Sequence, residues 1–290
     1  MALRIDRDVR ERVDRLELPF NALGVDPYGI SKPHLRVALT AVALAYRHYF
    51  TAETQGIEHV PTRGRAMLVG NHSGGIAIDG AMLIASCFLE MNPPRLAQGM
   101  AEKFLGRLPF VSEWTSRTGQ LTGVPENAER LLEDDRLLLV FPEGARGTAK
   151  LYRDRYSLVD FGSGFVRLAL KTRTPIVPVA VFGGGEAFPT IANAYRLGKL
   201  FGLPYVPIVA YGLPIPLPAK FEIEYAPPLR FAGTGNEDDA VVFGYVDRVK
   251  EVIASMLAAG VRRRRGEPPP RLPGSGAGAP ESRGAGTTTP

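Results

Sequence analysis

Apolar positions recur along the chain with two different periods. Near the start, Ile5, Val9, Val13 and Leu16 fall at helical spacing between charged neighbours. This predicts an amphipathic helix that ends before Pro19, because proline cannot continue a helical hydrogen-bond ladder. A turn-rich stretch, 21–33, leads into a largely apolar run from Leu35 to Phe50. That run is shorter than the roughly 20 apolar residues a bilayer span needs, and it carries Arg36 and Arg47. It reads either as a helix lying in a membrane interface or as an ordinary helix of the core.

Beyond Gly56 the pattern becomes an alternation. Short apolar runs at 66–69, 137–141, 176–182 and 221–225 read as strands, and helical patterns lie between and after them at 80–89, 126–133, 164–171 and 237–259. The expected fold is α/β: a mixed, mostly parallel sheet flanked by helices, preceded by N-terminal helices. Pro178, inside the third strand run, argues for an edge or a bulge there. Three regions follow: N-terminal helices at 1–55 with a possible membrane-interface role, a central domain at 56–260, and a tail at 261–290. From Gly266 the tail is Pro, Gly, Ala, Ser and Thr with little that could pack, so disorder is expected.

Composition refines this picture. With 290 residues, 45% of them hydrophobic, the chain can bury a full core without metal or disulfide. Cys87 lies in the apolar run 81–88 and reads as a buried helix position, which suits a reducing compartment. The net charge of +5 resides mainly in the tail, where six arginines (Arg262, Arg263, Arg264, Arg265, Arg271 and Arg283) face Glu267 and Glu281. A nearly neutral body argues against nucleic acid as a partner. Arg262 to Arg265 could tether the chain to an anionic leaflet, worth about 1 kcal/mol each near the surface, or simply be solvated. The N-terminus mixes charges of both signs and shows no signal peptide, so export is not expected.

Candidate chemistry gathers at strand ends. Asn71-His72-Ser73-Gly74-Gly75-Ile76-Ala77-Ile78-Asp79 follows the first strand run, which sets the imidazole at the edge where open α/β sheets place ligands. A carboxylate on one ring nitrogen would fix the tautomer and free the other nitrogen to take a proton. In one straight helix His72 and Asp79 would lie roughly 10 Å apart, so Gly74-Gly75 must fold the histidine back. A second block, Phe141-Pro142-Glu143-Gly144-Ala145-Arg146-Gly147, also follows a strand. Arg146 there could hold a phosphate through two parallel hydrogen bonds or form a surface ion pair. Between the two lies the loop 119–128, and after them the Pro175–Val181 strand.

These four blocks, in this order over roughly Gly56 to Pro214, resemble the glycerolipid acyltransferase family, the PlsC-type 1-acylglycerol-3-phosphate and glycerol-3-phosphate acyltransferases. The resemblance implies His72 as the base, Asp79 as its orienting partner, and Glu143, Gly144 and Arg146 in the acceptor and phosphate region. It places Gly123 in the acceptor loop. The family usually has four residues between His and Asp, and here there are six. It usually has an arginine in the acceptor loop, where Gly123-Val124-Pro125 offers none and Arg117 lies just upstream. Ala145 stands where Thr is usual and Gly147 where Ser is common.

The implied reaction is direct transfer of a fatty acyl group from acyl-CoA or acyl carrier protein to the hydroxyl of a lysophospholipid or related glycerolipid. No acyl-enzyme and no cofactor are needed. Backbone amides near Gly74-Gly75 are candidates for an oxyanion hole. The implied setting is the cytoplasm, peripheral on the inner face of the membrane, with the membrane surface as a partner. The competing readings are a neutral alcohol or glycolipid acceptor, a serine hydrolase using Ser73, and a non-catalytic lipid-binding homologue. Asn71 occupies the position where a nucleophile elbow requires glycine, against the hydrolase. His34, His48 and His59 lack a usefully spaced acid, and no cluster has metal-ligand spacing. Phe110, Trp114 and Tyr152 could line an acyl channel or belong to the core.

Overall fold

In the computed structural model, the residues described are 5–74, 78–101, 111–200, 202–213 and 215–267. Helix α1 (Arg7–Asp14) starts where the Asp6 carboxylate accepts a hydrogen bond from the Val9 amide, satisfying one of the free N–H groups of the first turn. Its Val9 and Val13 are buried. Helix α2 (Lys32–Leu44), with Pro33 in its first turn, continues as a π-helical turn over Ala45–Tyr49. Leu35, Leu39, Ala43, Tyr46 and Phe50 all point into the core, while Val37, Leu44 and Tyr49 are exposed.

Strand β1 (Glu53–Gln55) is followed by β2 (Ala66–Gly70), α3 (Ile78–Glu90), β3 (Ala97–Ala101), α4 (Val111–Arg117), β4 (Leu121–Thr122), α5 (Pro125–Glu133) and β5 (Leu137–Val140). Then come α6 (Ala145–Thr148), α7 (Gly164–Thr172), β6 (Ile176–Phe182), α8 (Gly184–Ala187), β7 (Thr190–Ala194), α9 (Tyr195–Leu200), β8 (Val206–Val209), β9 (Glu222–Tyr225) and α10 (Asp239–Arg264). Seven strands form one sheet in the order β1-β9-β6-β2-β5-β3-β4, and β7 pairs with β8 in a separate hairpin. Within the large sheet only β6 and β9 run antiparallel to each other; the other neighbours are parallel. The fold is therefore α/β with a mixed, mostly parallel sheet.

The sheet is buried on both faces, as parallel sheets must be. Alternate residues separate cleanly: Ala66 and Leu68 of β2 join α1, α2 and α3, whereas Met67 and Val69 face α5, α7 and α10. The connection from β2 to β3 carries α3 on one face, and that from β5 to β6 carries α7 on the other. The crevice between β2 and β5 is thus a topological switch point.

Three details correct the sequence expectations. Pro178 lies in β6, an interior strand, not at an edge or bulge. Its carbonyl accepts from Ala226, so its missing N–H falls on the β9 side at the last rung of that ladder. The arginines of the tail are partly helical and partly consumed: α10 runs on to Arg264, Arg263 pairs with Glu222 and Glu224, and Arg264 pairs with Glu222. Cys87 is fully buried, and burial pushes its thiol up to about 11. The Pro/Gly-rich stretch from 268 onward lies outside the described residues. Among the described residues no helix is long and apolar enough to cross a membrane.

Asn71, directly after β2, extends the sheet with its side chain. Its amide donates to the Val181 carbonyl at 3.1 Å and accepts from the Val181 N–H at 2.8 Å, replacing one rung of the β2–β6 ladder. Substituting Asn71→Ala orphans both groups in a buried setting, at about 1–3 kcal/mol for each unpaired group. Urea unfolding should show a lowered midpoint with unchanged slope; a midpoint equal to wild type would contradict the clamp.

Candidate functional site

The C-terminal ends of β2 and β5 meet at the switch point, and the two sequence blocks meet with them. The His72 imidazole lies flat on the Phe141 ring, with centroids 3.8 Å apart and planes 16° from parallel. Phe141 thus fixes one face of the imidazole and shields it from water. His72 is only 6% exposed.

The Glu143 carboxylate turns inward and is 2% exposed. Its Oε2 accepts from the His72 amide at 2.9 Å, its Oε1 accepts from the Val159 amide at 2.9 Å, and Lys150 Nζ lies 2.7 Å from Oε1 and 2.8 Å from Oε2. The same ammonium donates to the His72 carbonyl at 2.6 Å. One buried ion pair therefore holds both main-chain polar groups of His72. Burial pulls the Lys150 amine below the ordinary lysine value, while the adjacent Glu143 carboxylate opposes that shift. The close approach requires Gly147: a Cβ there would sit 2.7 Å from Glu143 Cβ and 2.9 Å from His72 Cβ. The hydroxyl that the family often carries at this position would have no room in this chain.

Asp79, in the first turn of α3, is 1% exposed and closes the site from the other side. Its Oδ1 accepts from the Ser73 hydroxyl at 2.7 Å, and its Oδ2 accepts from the Ser73 amide at 2.9 Å and faces His72 Nδ1 at 3.4 Å. Gly74, at φ +106°, turns the chain back toward α3, a conformation that favours glycine. At this wider His–Asp spacing Ser73 takes the closest contacts to the carboxylate. Gly184 of α8 packs so near that a Cβ would lie 2.2 Å from Asp79 Oδ1. With a carboxylate at Nδ1, the tautomer protonated there is favoured and Nε2 can accept a proton. No described residue hydrogen-bonds Nε2.

The other expected residues are spread more widely. Gly144 adopts φ 54°, ψ −148°, a conformation essentially confined to glycine, and leads into α6. Arg146 is exposed, with one Nη2 donating to the Asp160 carbonyl at 3.0 Å. Gly123 follows β4, three strands from β2 along the same sheet edge. Arg117 is not brought to this site: it ends α4, its carbonyl accepts from Ser31, and the nearby Gly119 abuts Leu96 at the start of β3. That is the N-terminal edge of the sheet. Gly75 and Phe110 lie outside the described residues. Trp114 makes an edge contact with His34, and Tyr152 lies under the Arg155 guanidinium.

The geometry also bears on the hydrolase reading. The Ser73 hydroxyl donates to Asp79, and its neighbour His72 presents Nδ1 to that same carboxylate rather than to the serine oxygen. A serine so placed orients an acid and is not activated as a nucleophile. Sequence reasoning missed Lys150, Phe141, Gly147 and Gly184 as parts of the site. Only Phe141 and Gly147 lay inside a block that had been singled out. Among the described residues there is no group of His, Cys, Asp and Glu that could hold a metal ion.

Comparisons with known proteins bear on the family and the fold. The sequence profile of the family described as Acyltransferase matches residues 51–182, the span that carries every strand of the site. An uncharacterized protein of Mycobacterium tuberculosis is 35% identical over 246 residues, 80% of this chain and 68% of that protein. A human protein named as a DGAT1/2-independent enzyme synthesizing storage lipids is 24% identical over 217 residues, 73% of this chain and 65% of its own length. Among solved structures, the 1-acyl-sn-glycerophosphate acyltransferase PlsC from Thermotoga maritima superposes with a TM-score of 0.51 at 18% identity, covering 78% of this chain and 80% of that one. At that identity the likeness speaks for the fold, which is the one described above. The fold, the ordered blocks, the profile match and the mycobacterial relative together make this chain an acyltransferase, a member of the glycerolipid acyltransferase family.

Proposed function

We propose that the enzyme transfers a fatty acyl group from the thioester of acyl-CoA or acyl carrier protein to the hydroxyl of a lysophospholipid or related glycerolipid, with His72 as general base. The observation that carries this is the imidazole held at Nδ1 by Asp79, with Nε2 unpartnered among the described residues at the sheet edge. Nε2 takes the proton of the acceptor hydroxyl as its oxygen attacks the thioester carbon. The C–O bond forms, the C–S bond breaks, and the imidazolium returns its proton to the departing thiolate. Asp79 stabilises the transient positive charge on the ring. Base assistance of this kind contributes roughly 10²–10⁴-fold, and positioning of the two substrates supplies much of the remainder.

Arg146 is the acceptor-facing cation in this reading. It is exposed, and its contact with Asp160 uses one of its donors, leaving others for a phosphate. A neutral alcohol as acceptor is favoured by a different observation: Gly123-Val124-Pro125 carries no cation, Arg117 lies at the opposite edge, and the relatives at 24% identity are named for storage-lipid synthesis. The mass of the product formed from labelled acyl-CoA and a membrane lipid extract separates the two acceptors. In both readings the enzyme works peripherally at the cytoplasmic face of a membrane, where its acceptor resides.

His72→Ala should lower acyl transfer by at least about 10²-fold while the far-ultraviolet circular dichroism stays that of wild type. A folded variant releasing CoA at the wild-type rate would overturn the role of His72. Lys150→Met leaves the Glu143 carboxylate buried without its cation, and thermal or denaturant unfolding should show a loss of about 3–5 kcal/mol. Wild-type stability in that variant would show that the ion pair does not hold the site together.

A further inference from the structure

Between Ala187 and Phe221 the chain contains no aspartate or glutamate, although it has 30 acidic residues in all. This stretch forms the β7–β8 hairpin with α9 inserted at its turn, outside the seven-stranded sheet. Phe188, Tyr205 and Val209 are buried at its root, but Tyr195, Leu197, Leu200, Ile208, Leu213 and Ile215 are all exposed, Leu200 by 77% and Leu213 by 60%. Single exposed apolar residues are ordinary, but so many on one small arm mark an interaction surface. Two cations, Arg196 and Lys199, stand exposed among them with no ion-pair partner among the described residues, whereas Lys220 pairs with Glu53.

The arm is rooted in the catalytic edge. It leaves β6 through α8, whose Gly184 packs on Asp79, and Asn193 of β7 donates to the Ala149 carbonyl beside Lys150. The segment that follows β8 is tied to the π-helical end of α2, where the exposed Tyr49 donates from its hydroxyl to the Pro216 carbonyl at 2.7 Å. Gly198 holds α9 against β8's approach: a Cβ there would meet the Tyr205 backbone at 2.5 Å. The apolar side chains are thus carried on a braced element.

We propose that the arm at 190–217, built on β7, α9 and β8 and the segment that follows β8, is the membrane-docking element of this enzyme, entering the interface of an anionic bilayer and bringing His72 to the lipid surface. The occupant follows from charge: apolar side chains interleaved with unpaired cations and no acids complement an anionic lipid surface, and both contributions favour the same partner. This rests on the lipid-acylating function proposed above, since a base buried at a sheet edge must meet an acceptor drawn from the bilayer. It also differs from the sequence expectation, in which 35–50 was either an interfacial helix or a core helix and Arg262 to Arg265 either a tether or a solvated run.

The test uses full-length protein and sedimentation with vesicles of phosphatidylcholine alone or mixed equally with phosphatidylglycerol. Wild type should bind the mixed vesicles, less so at high salt, and bind the neutral ones weakly. Combining Leu200→Glu, Leu213→Glu and Ile215→Glu should weaken that binding by at least about tenfold. CoA release from a short-chain acyl-CoA with a water-soluble alcohol should persist in this variant. The pair Arg196→Glu and Lys199→Glu, which leaves every apolar residue in place, should weaken binding as well. His72→Ala should bind vesicles like wild type, separating docking from catalysis. Retained binding in the triple variant would overturn the proposal. So would a wild-type dimer that fails to bind vesicles and becomes monomeric in the triple variant, which would identify a second copy as the occupant.

Discussion

The site depends on one buried ion pair. Glu143 and Lys150 together grip the amide and the carbonyl of His72, and Glu143 also takes the Val159 amide. The end of β2, the end of β5 and the loop beyond α6 are thereby fastened at one point. A charged pair in so dry a place gains little net stability by itself, because desolvation offsets the attraction. Its contribution is positional: a backbone held at both polar groups cannot swing, so the imidazole stays on Phe141 with Nδ1 toward Asp79. The glycines around it, Gly147 and Gly184, supply the closeness that this arrangement needs.

The acid partner is arranged by a second economy of space. Ser73 donates twice to Asp79, through its amide and its hydroxyl, and so fixes the carboxylate while the His72 contact stays longer at 3.4 Å. Gly74 turns at φ +106°, and Ser73, adjacent to His72, serves as a strut for the carboxylate. The sheet supplies the remaining constraint, since Asn71 locks the end of β2 to β6 and the opposed crossovers leave the crevice open there.

Much of this was legible in the sequence because strand ends are written in it. Continuous apolar runs at 66–69, 137–141 and 176–182 announced buried parallel strands, and the polar blocks that follow them had to emerge at the same edge. His72, Asp79 and the Glu143 block were therefore within reach of sequence reasoning. Lys150 was not, because its partner is set by a loop with no periodicity. The inward turn of Glu143 was hidden for the same reason. Strands β3 and β4 were missed because Ala97-Gln98-Gly99-Met100-Ala101 and Leu121-Thr122 are short and weakly apolar, and their pairing is decided by the neighbouring strand. Pro178 misled because its effect depends on which side its missing N–H faces. The exposed arm at 190–217 was opaque too: an apolar run reads alike whether it is buried or facing solvent.

In the proposed direct transfer His72 acts on the acceptor and the chain itself never carries the acyl group. Intact-protein mass spectrometry, on enzyme quenched during turnover of a long-chain acyl-CoA with and without acceptor, tests this most directly. Direct transfer leaves the protein unmodified in both cases, with CoA released when acceptor is present. A protein population heavier by one acyl group, formed without acceptor and discharged when acceptor is added, would contradict it.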